Sequence, residues 1–296
     1  MLAVLLPFIV GILEKIMFLS LNKRPKFQEL RIVLSYFIFT ILSFSYILIT
    51  KGSLDFTFLK EPLIWFALSV EIIAFTAARF NYEHQNNYTV ISFAQLSSLF
   101  LIFPITYFLD ILFNIDQSKV SISFNSLGEN TIFFVLYTII TLGYFFISLK
   151  KGKIKYKLPL FIHAICLPMA MYAFTRISNL HEPLMVYPVL FSLISMVYIP
   201  KIYKNKKKYK KKYILSYDYI KSIFEYTILY ISAFLMSIYV ALTLSAEFFT
   251  IFKRMGQLSS SVIIDYFIKK VKHSKLEILF IFLIFIITIT LYLFKV

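Results

Sequence analysis

Residues 29–50 read ELRIVLSYFIFTILSFSYILIT, and this stretch decides the class of the fold. From Arg31 to Lys51 it carries no further charge, and it matches the roughly 20 apolar residues that an α-helix needs to cross a bilayer. Its residues do not alternate strictly between apolar and polar, as a strand of an outer-membrane barrel would. Backbone groups in hydrocarbon need hydrogen-bond partners within the same segment, and a helix provides them. The stretch therefore predicts a transmembrane helix.

The rest of the chain has the same character, because 59% of its 296 residues are apolar and 16% are charged. This composition leaves too little polar surface for a water-soluble domain of this length. We interpret the first apolar window as a spanning helix and not as a signal peptide, since it lacks a basic start and a small-residue cleavage site. We predict an all-α integral membrane protein with ten transmembrane helices, at residues 2–20, 29–50, 60–80, 87–109, 129–149, 157–175, 184–203, 219–243, 246–268 and 275–294.

The net charge of +16 is concentrated in a few connections between these helices. With ten helices, every strongly basic connection falls on one side of the membrane; they lie within residues 23–31, 150–157, 201–212 and 269–275. Basic residues near helix ends are retained in the cytoplasm, so the loop charges place both termini outside it. Because these connections adjoin bilayer-length segments, the charge predicts anionic lipid headgroups as partners and argues against nucleic acid.

A short motif occurs twice, as AQLSS at residues 94–98 and as GQLSS at residues 256–260. Each copy lies in the fourth predicted helix of its half of the chain. An odd number of spans per repeat places the second copy upside down relative to the first, as in many secondary transporters. The motif therefore predicts two inverted five-helix repeats, at residues 1–150 and 151–296.

The stretch IFKRMGQLSSSVIID, residues 251–265, resembles the ninth helix of the drug/metabolite transporter superfamily in its ten-helix, EamA-type branch. Pro25 followed by Arg31, at the opening of the second helix, also resembles the pattern of that family. The resemblance is that of a divergent member and extends over nearly the whole chain. It implies a multi-pass transporter of the cell (cytoplasmic or inner) membrane. It also implies cytoplasmic termini, opposite to the loop charges, so the orientation stays open.

On the predicted ninth helix, Arg254, Gln257, Ser261 and Asp265 recur at three- and four-residue spacing and share one face. Ionisable residues inside a membrane are costly and are functional candidates by default. This face, with Lys253 beside it, could contact a solute. Alternatively, the cations extend to the headgroups and the polar groups bond neighbouring helices. We expect Asp265 to pair with a basic group such as Lys269, four residues along the helix.

Further candidates lie on other predicted helices. On the matching fourth helix, Gln95 belongs to a weaker polar strip, which would meet the strip of the ninth helix near the midplane. Glu14 could couple protons or solute, and its neighbour Lys15 points about 100° away, so the two cannot simply pair. Glu71 has no charged neighbour in sequence, and a lone His163 serves either as a proton relay or as a structural residue. The candidate substrate-binding or coupling residues are Arg254, Gln257, Ser261, Gln95, Glu71, Glu14, Lys253 and His163.

Enzyme motifs such as HExxH, GxSxG and phosphate-cradling glycine-rich loops are absent from the sequence, so we expect no enzyme, no metal site and no cofactor. The favoured hypothesis is a secondary transporter or exporter that moves a small metabolite or amphiphilic solute by alternating access. A flippase for a lipid or polyprenyl-linked carrier is the alternative on the same scaffold. A membrane-embedded transferase or scaffold protein, using the connection at residues 110–130, is the alternative from another class.

Overall fold

The computed structural model describes residues 2–23, 28–85, 87–96, 101–115, 127–151, 153–204, 216–243 and 246–295. Every regular element within these ranges is a helix. In chain order the helices are α1 Leu2–Lys23, α2 Gln28–Lys51, α3 Pro62–His84, α4 Tyr88–Leu96, α5 Ile102–Leu112, α6 Leu127–Lys150, α7 Lys157–Leu180, α8 Pro183–Met196, α9 Ile199–Lys204, α10 Tyr217–Thr243, α11 Ala246–Ile263 and α12 Lys275–Lys295. A 3₁₀ turn at Thr57–Lys60 precedes α3, and a π-helical turn at Ile264–Ile268 continues α11.

Several of these helices are long and apolar enough to cross a bilayer. Within the described residues there are 5, at Gln28–Lys51, Pro62–His84, Lys157–Leu180, Pro183–Lys204 and Tyr217–Thr243. Large apolar side chains also cover the outer surface; Ile49, for example, is 84% exposed, and Phe146 and Phe282 are exposed as well. A soluble protein rarely exposes so much contiguous apolar area. The chain has the helices and the outer surface of an all-α, multi-pass membrane protein.

Helices lie at each of the predicted positions, with corrected boundaries, and 5 of them qualify as candidate spans within the described residues. Of the fourth predicted helix, at 87–109, the structure describes the parts Tyr88–Leu96 and Ile102–Leu112. The seventh breaks at residues 197–198, between α8 and α9. Residues 97–100, which include the two serines of the first repeat motif, lie outside the described residues, as do Pro25 and most of the basic run at 201–212.

Two helix starts show how local sequence and distant contacts combine. Helix α12 begins with a capping box, in which the Glu277 carboxylate accepts a hydrogen bond from the Ser274 backbone N–H at 2.7 Å. Helix α4 is capped from elsewhere in the chain. The carboxylate of Asp265 accepts hydrogen bonds from the backbone N–H groups of Tyr88 at 2.9 Å and Thr89 at 2.7 Å. These bonds satisfy donors that an isolated helix leaves open.

Helix packing sets the positions of the polar groups. Helix α1 packs extensively along α11 and α10, α3 along α7, α2 along α8, and α6 along α12; α4 lies against α11, α6 and α7. At the crossing of α1 and α11 there are glycines on both sides. A Cβ atom on Gly11 would collide with the Lys253 carbonyl oxygen, and one on Gly256 with the Phe8 carbonyl oxygen. Small residues of this kind let membrane helices approach backbone to backbone.

Carboxylates tie together the end of the bundle that carries the basic connections, which we call the basic end. Glu29 at the start of α2 forms ion pairs with Arg79 of α3 at 2.6 Å and with Lys201 of α9 at 2.8 Å. Glu277 of α12 pairs with Lys153 at 2.7 Å. Each pair joins elements that are distant in sequence, so this end of the bundle is held by more than apolar contact.

The opposite end has its own ion pairs. The Asp110 carboxylate of α5 accepts hydrogen bonds from Arg176 Nε at 2.8 Å and from Arg176 Nη2 at 2.5 Å. The Tyr172 hydroxyl donates to the same carboxylate at 2.9 Å. Arg176 and Asp110 are both buried, whereas Lys51 and Glu182 form a second, exposed pair. The strong contact at this end is therefore the one between α5 and α7.

Candidate functional site

A cavity lies inside the bundle, between helices α1, α2, α3, α4, α7, α8, α10 and α11. The free space between its atoms is about 970 Å³, including the part that is continuous with the surroundings. One side is polar and the other is aromatic. The candidate residues that line it are Glu14, Glu71, Gln95, His163, Lys253, Arg254 and Gln257. The tertiary structure thus brings together nearly all of the polar residues that the sequence singled out.

The close crossing of α1 and α11 places the first group of these residues. Glu14 lies one turn after Gly11 on α1, and Lys253 and Gln257 flank Gly256 on α11. Because neither glycine carries a side chain, the two backbones come close enough for Glu14 to reach across the crossing. The chain has only 6 glycines, so a glycine within an apolar helix, such as Gly11 or Gly256, is a sequence signal for a close contact of this kind.

The charged groups at this crossing form a short chain of contacts. The Glu14 carboxylate pairs with Lys253 Nζ at 2.6 Å and accepts a hydrogen bond from Gln257 Nε2 at 2.5 Å. The side-chain amide oxygen of Gln257, Oε1, in turn accepts a hydrogen bond from Arg254 Nη1 at 2.5 Å. Gln257 therefore lies between the carboxylate of Glu14 and the guanidinium of Arg254, and it fixes both.

Arg254 is the cation of this group without a carboxylate of its own. It is 2% exposed, and within the described residues its guanidinium forms no ion pair. Its Nε is buried and has no hydrogen-bond acceptor in that part of the chain. A buried charge needs a partner, and an amide oxygen alone compensates it incompletely. Arg254 is thus a buried cation whose charge is only partly compensated by the described residues.

Glu71 projects into the cavity from α3. Among the described residues it makes no hydrogen bond and no ion pair, although Glu14, Lys253 and Arg254 are within electrostatic range. The isolation of Glu71 that was apparent in the sequence therefore persists in the fold. The cavity accordingly offers a carboxyl group and a guanidinium group that are not paired with each other.

A second set of polar contacts lies beside the first. Gln95 Nε2 lies 3.1 Å from His163 Nε2, and the other ring nitrogen of His163 is buried without a hydrogen bond to any described residue. Lys15, fully buried, donates to the hydroxyl of Tyr82 and lies 4.2 Å from the centre of its ring. Lys15 and Glu14 thus point to different partners, as helical geometry requires of neighbours.

The aromatic side of the cavity is formed by rings that the sequence did not single out. Tyr230 and Phe191 meet edge to face at 5.2 Å, and Tyr36 lies 5.3 Å from Phe191 and 4.9 Å from Tyr230. Phe75 and Phe234 complete this wall. Among 34 Phe and 21 Tyr, no local pattern separates the rings that line a cavity from those that face lipid. The wall fits an apolar or aromatic body next to the polar groups.

The polar face of the ninth predicted helix divides in the structure. Arg254 and Gln257 line the cavity, but Ser261 faces α4, where its hydroxyl lies 2.9 Å from that of Ser92. The predicted pairing of Asp265 with a basic group such as Lys269 is wrong. Asp265 caps α4, and the ammonium of Lys269 lies 4.9 Å from the ring of Tyr88 instead. The reason is tertiary, since the start of α4 packs against this turn.

The connection at residues 110–130 is described in part. Asp110 is engaged by Arg176 and Tyr172, and residues 116–126 lie outside the described residues. In the parts of the chain that the structure describes, no three His, Cys, Asp or Glu side chains cluster as metal ligands. No protein-family model matches this sequence, and no curated protein matches it either.

Proposed function

We propose that the chain is a secondary transporter that moves a small metabolite or amphiphilic solute across the cell membrane by alternating access. The observation that carries the proposal is the cavity, which is lined by helices of both halves of the chain and contains Arg254 and Glu71, neither of which has an ion-pair partner among the described residues. Ionisable residues that face an interior cavity of a membrane protein mark solute or ion pathways. The loop charges favour a cytoplasmic position for the basic end, whereas the family resemblance favours the reverse.

The packing of the helices supports two inverted repeats of five spans, α1–α6 and α7–α12. In this scheme α4 and α5 together form the fourth span, and α8 and α9 the seventh. In this scheme α1 corresponds to α7, α3 to α10, and α4 with α5 to α11. The packing of α3 on α7 then corresponds to that of α10 on α1. Likewise, the packing of α1 on α11 corresponds to that of α7 on α4 and α5. The packing of α2 on α8 and of α6 on α12 is converted into itself. Such a pattern is expected of inverted repeats around a midplane site.

The ion pairs at the two ends supply contacts that a rocking motion would break in turn. At the basic end, Glu29 of the first unit pairs with Lys201 of the second. At the opposite end, Asp110 of the first unit pairs with Arg176 of the second. In the proposed cycle one of these contacts opens while the other stays closed. The solute then meets the cavity from one side at a time.

Within the cavity, Arg254 would bind an anionic or accepting group of the solute, and Gln257 would hold the guanidinium in position. A charged solute would replace one partner of the Glu14–Lys253 ion pair, so both residues are candidates for coupling. The rings of Tyr36, Phe191 and Tyr230 would cover the apolar part of the solute. A cavity with one polar side and one aromatic side favours an amphiphilic solute over a strongly hydrated ion.

The test begins with the purified chain in detergent, screened for thermal stabilisation by a panel of organic anions, cations and zwitterions. Uptake of a stabilising solute is then measured in proteoliposomes. We expect Arg254→Gln to abolish uptake, and Lys221→Gln, which removes an exposed cation from α10, to leave it unchanged. Full uptake by Arg254→Gln would contradict the proposed site. Translocation of a labelled phospholipid by the same vesicles would favour the flippase alternative.

A further inference from the structure

A second pocket lies outside the central cavity, at the basic end, where α11 leads into α12. It is lined by Val262, Tyr266, Lys270, Val271, Lys272, His273, Ile278 and Ile281. The space between its atoms is about 1050 Å³, including the part open to the surroundings. Its lining is apolar along the helices and basic in the connection between them. The site is thus apolar at one side and cationic at the other.

The charge of the cations in this pocket depends on the acidic residues near them. Within the described residues Lys270 and Lys272 form no ion pair, and both are exposed. The acidic groups nearby are occupied, since Asp265 caps α4 and the buried Glu277 pairs with Lys153 at 2.7 Å. The field at the mouth of the pocket is therefore positive.

His273 adds a buried polar group to the lining of the pocket. Its side chain is 5% exposed, and neither ring nitrogen has a hydrogen-bond partner among the described residues. The nearest carboxylate oxygen, of Glu277, is 3.9 Å from Nδ1. Burial lowers the pKa of His273, and the ammonium of Lys153 lowers it further, although Asp265 and Glu277 act the other way. A neutral imidazole keeps one N–H donor, which needs an acceptor.

The pocket opens on the surface that faces lipid. Tyr266 and Ile278, which line it, are 66% and 55% exposed, and Phe267 beside them is exposed too. Lysines of the connection stand where a membrane protein meets the headgroup layer. An occupant that reaches the pocket from the bilayer would meet apolar side chains along its length and cations at its end.

We propose that this pocket binds one phospholipid with an anionic headgroup, its phosphate oxygens held by Lys270, Lys272 and His273 and one acyl chain lying along Val262, Ile278 and Ile281. The complementarity is in both charge and polarity: a chain of hydrocarbon matches the helix surfaces, and a phosphate accepts from the lysines and the imidazole. The inference does not depend on transport.

Native mass spectrometry of the full chain, released from detergent micelles that contain phosphatidylglycerol, tests the proposal. We expect one phosphatidylglycerol to remain bound, and phosphatidylcholine to be retained far less. Lys270→Gln with Lys272→Gln should weaken retention about tenfold or more, since each cation near an anionic lipid contributes appreciably. The matched control, Lys204→Gln with Lys221→Gln, removes the same charge from exposed positions of α9 and α10 and should have little effect.

A second variant tests the apolar part of the pocket separately from its cations. Ile278→Trp fills the pocket at an exposed position and leaves every cation in place, and we expect it to weaken retention as well. Equal losses in both lysine doubles would show a diffuse cationic surface and overturn the site. Equal retention of phosphatidylcholine would overturn the role of the anionic headgroup. Retention of inorganic phosphate without any bound phosphatidylglycerol would overturn a lipid as the occupant.

Discussion

Glu14 and Lys253 form an ion pair of 2.6 Å across the crossing of α1 and α11, where Gly11 and Gly256 bring the two backbones together. The pair adjoins the central cavity and is partly open to it. Its position shows how an apolar bundle accommodates a charged residue in each of these two helices. Each partner compensates the other, and Gln257 connects them to Arg254.

Glu14→Gln should lower the free energy of unfolding by about 1 to 3 kcal/mol, because hydrogen bonds to charged groups contribute at this level. The cause is that Lys253 is left in the bundle without its carboxylate. Reversible unfolding in mixed detergent micelles measures the change. Adding Lys253→Met should restore part of the loss. Lys51→Gln, in the exposed pair with Glu182, is the control and should cost less than about 1 kcal/mol. Equal costs in the buried and exposed pairs would contradict the prediction.

Gly256→Leu should prevent the normal packing of α1 on α11, because a Cβ atom already collides with the Phe8 carbonyl oxygen. We expect loss of the folded monodisperse protein in size-exclusion chromatography. Gly143→Leu is the matched control, since a Cβ atom there would meet a Phe280 side-chain atom at 3.1 Å, and a side chain can move where a backbone cannot. A normal elution profile for Gly256→Leu would show that the close crossing is dispensable.

Asp265→Ala should destabilise the start of α4, because the Tyr88 and Thr89 N–H groups lose their acceptor. Loss of a helix cap costs about 0.5 to 2 kcal/mol. Asp265→Asn keeps one carbonyl oxygen and should cost less than the alanine variant. Hydrogen exchange of the α4 amides gives a local measurement, and unchanged protection in Asp265→Ala would contradict the capping role.

Asp110→Asn should be strongly destabilising, by about 3 to 5 kcal/mol, because it leaves Arg176 buried without a carboxylate. Replacing both residues, as Asp110→Asn with Arg176→Met, should cost less than the single change, since no unpaired charge then remains. The free energies of unfolding of Asp110→Asn, Arg176→Met and the double variant complete a double-mutant cycle. Additive effects of the two changes would show that the ion pair is not coupled.

The ten-span plan predicts which positions share a side of the membrane. On a background without Cys166, single cysteines at Ser53 and Glu182 should be modified by an impermeant reagent from one side, and cysteines at Lys204 and Lys272 from the other. The loop charges assign the second pair to the cytoplasm. Labelling of Ser53 and Lys204 positions from the same side would disprove the plan.

The sequence by itself determined the class of the fold and the set of polar residues that required an explanation. Length and hydrophobicity are local properties, so residues 29–50 predict a helix whatever surrounds them. Likewise, the cost of placing Glu14, Glu71 or Arg254 in a bilayer is visible in the sequence alone. Helix ends were predicted less accurately: the seventh helix was predicted as continuous, although Pro200, in the first turn of α9, is a local signal for the break between α8 and α9.

Only the tertiary structure decided which partner each polar group has. Ser261 and Asp265 share a helical face with Arg254, yet they bond α4 while Arg254 lines the cavity. The division depends on the register between segments that are far apart in the chain, and periodicity does not encode that register. The aromatic wall has the same origin, since Tyr36 and Tyr230 meet only after α2 and α10 pack. Local chemistry therefore selected the residues, and helix packing determined where each of them acts.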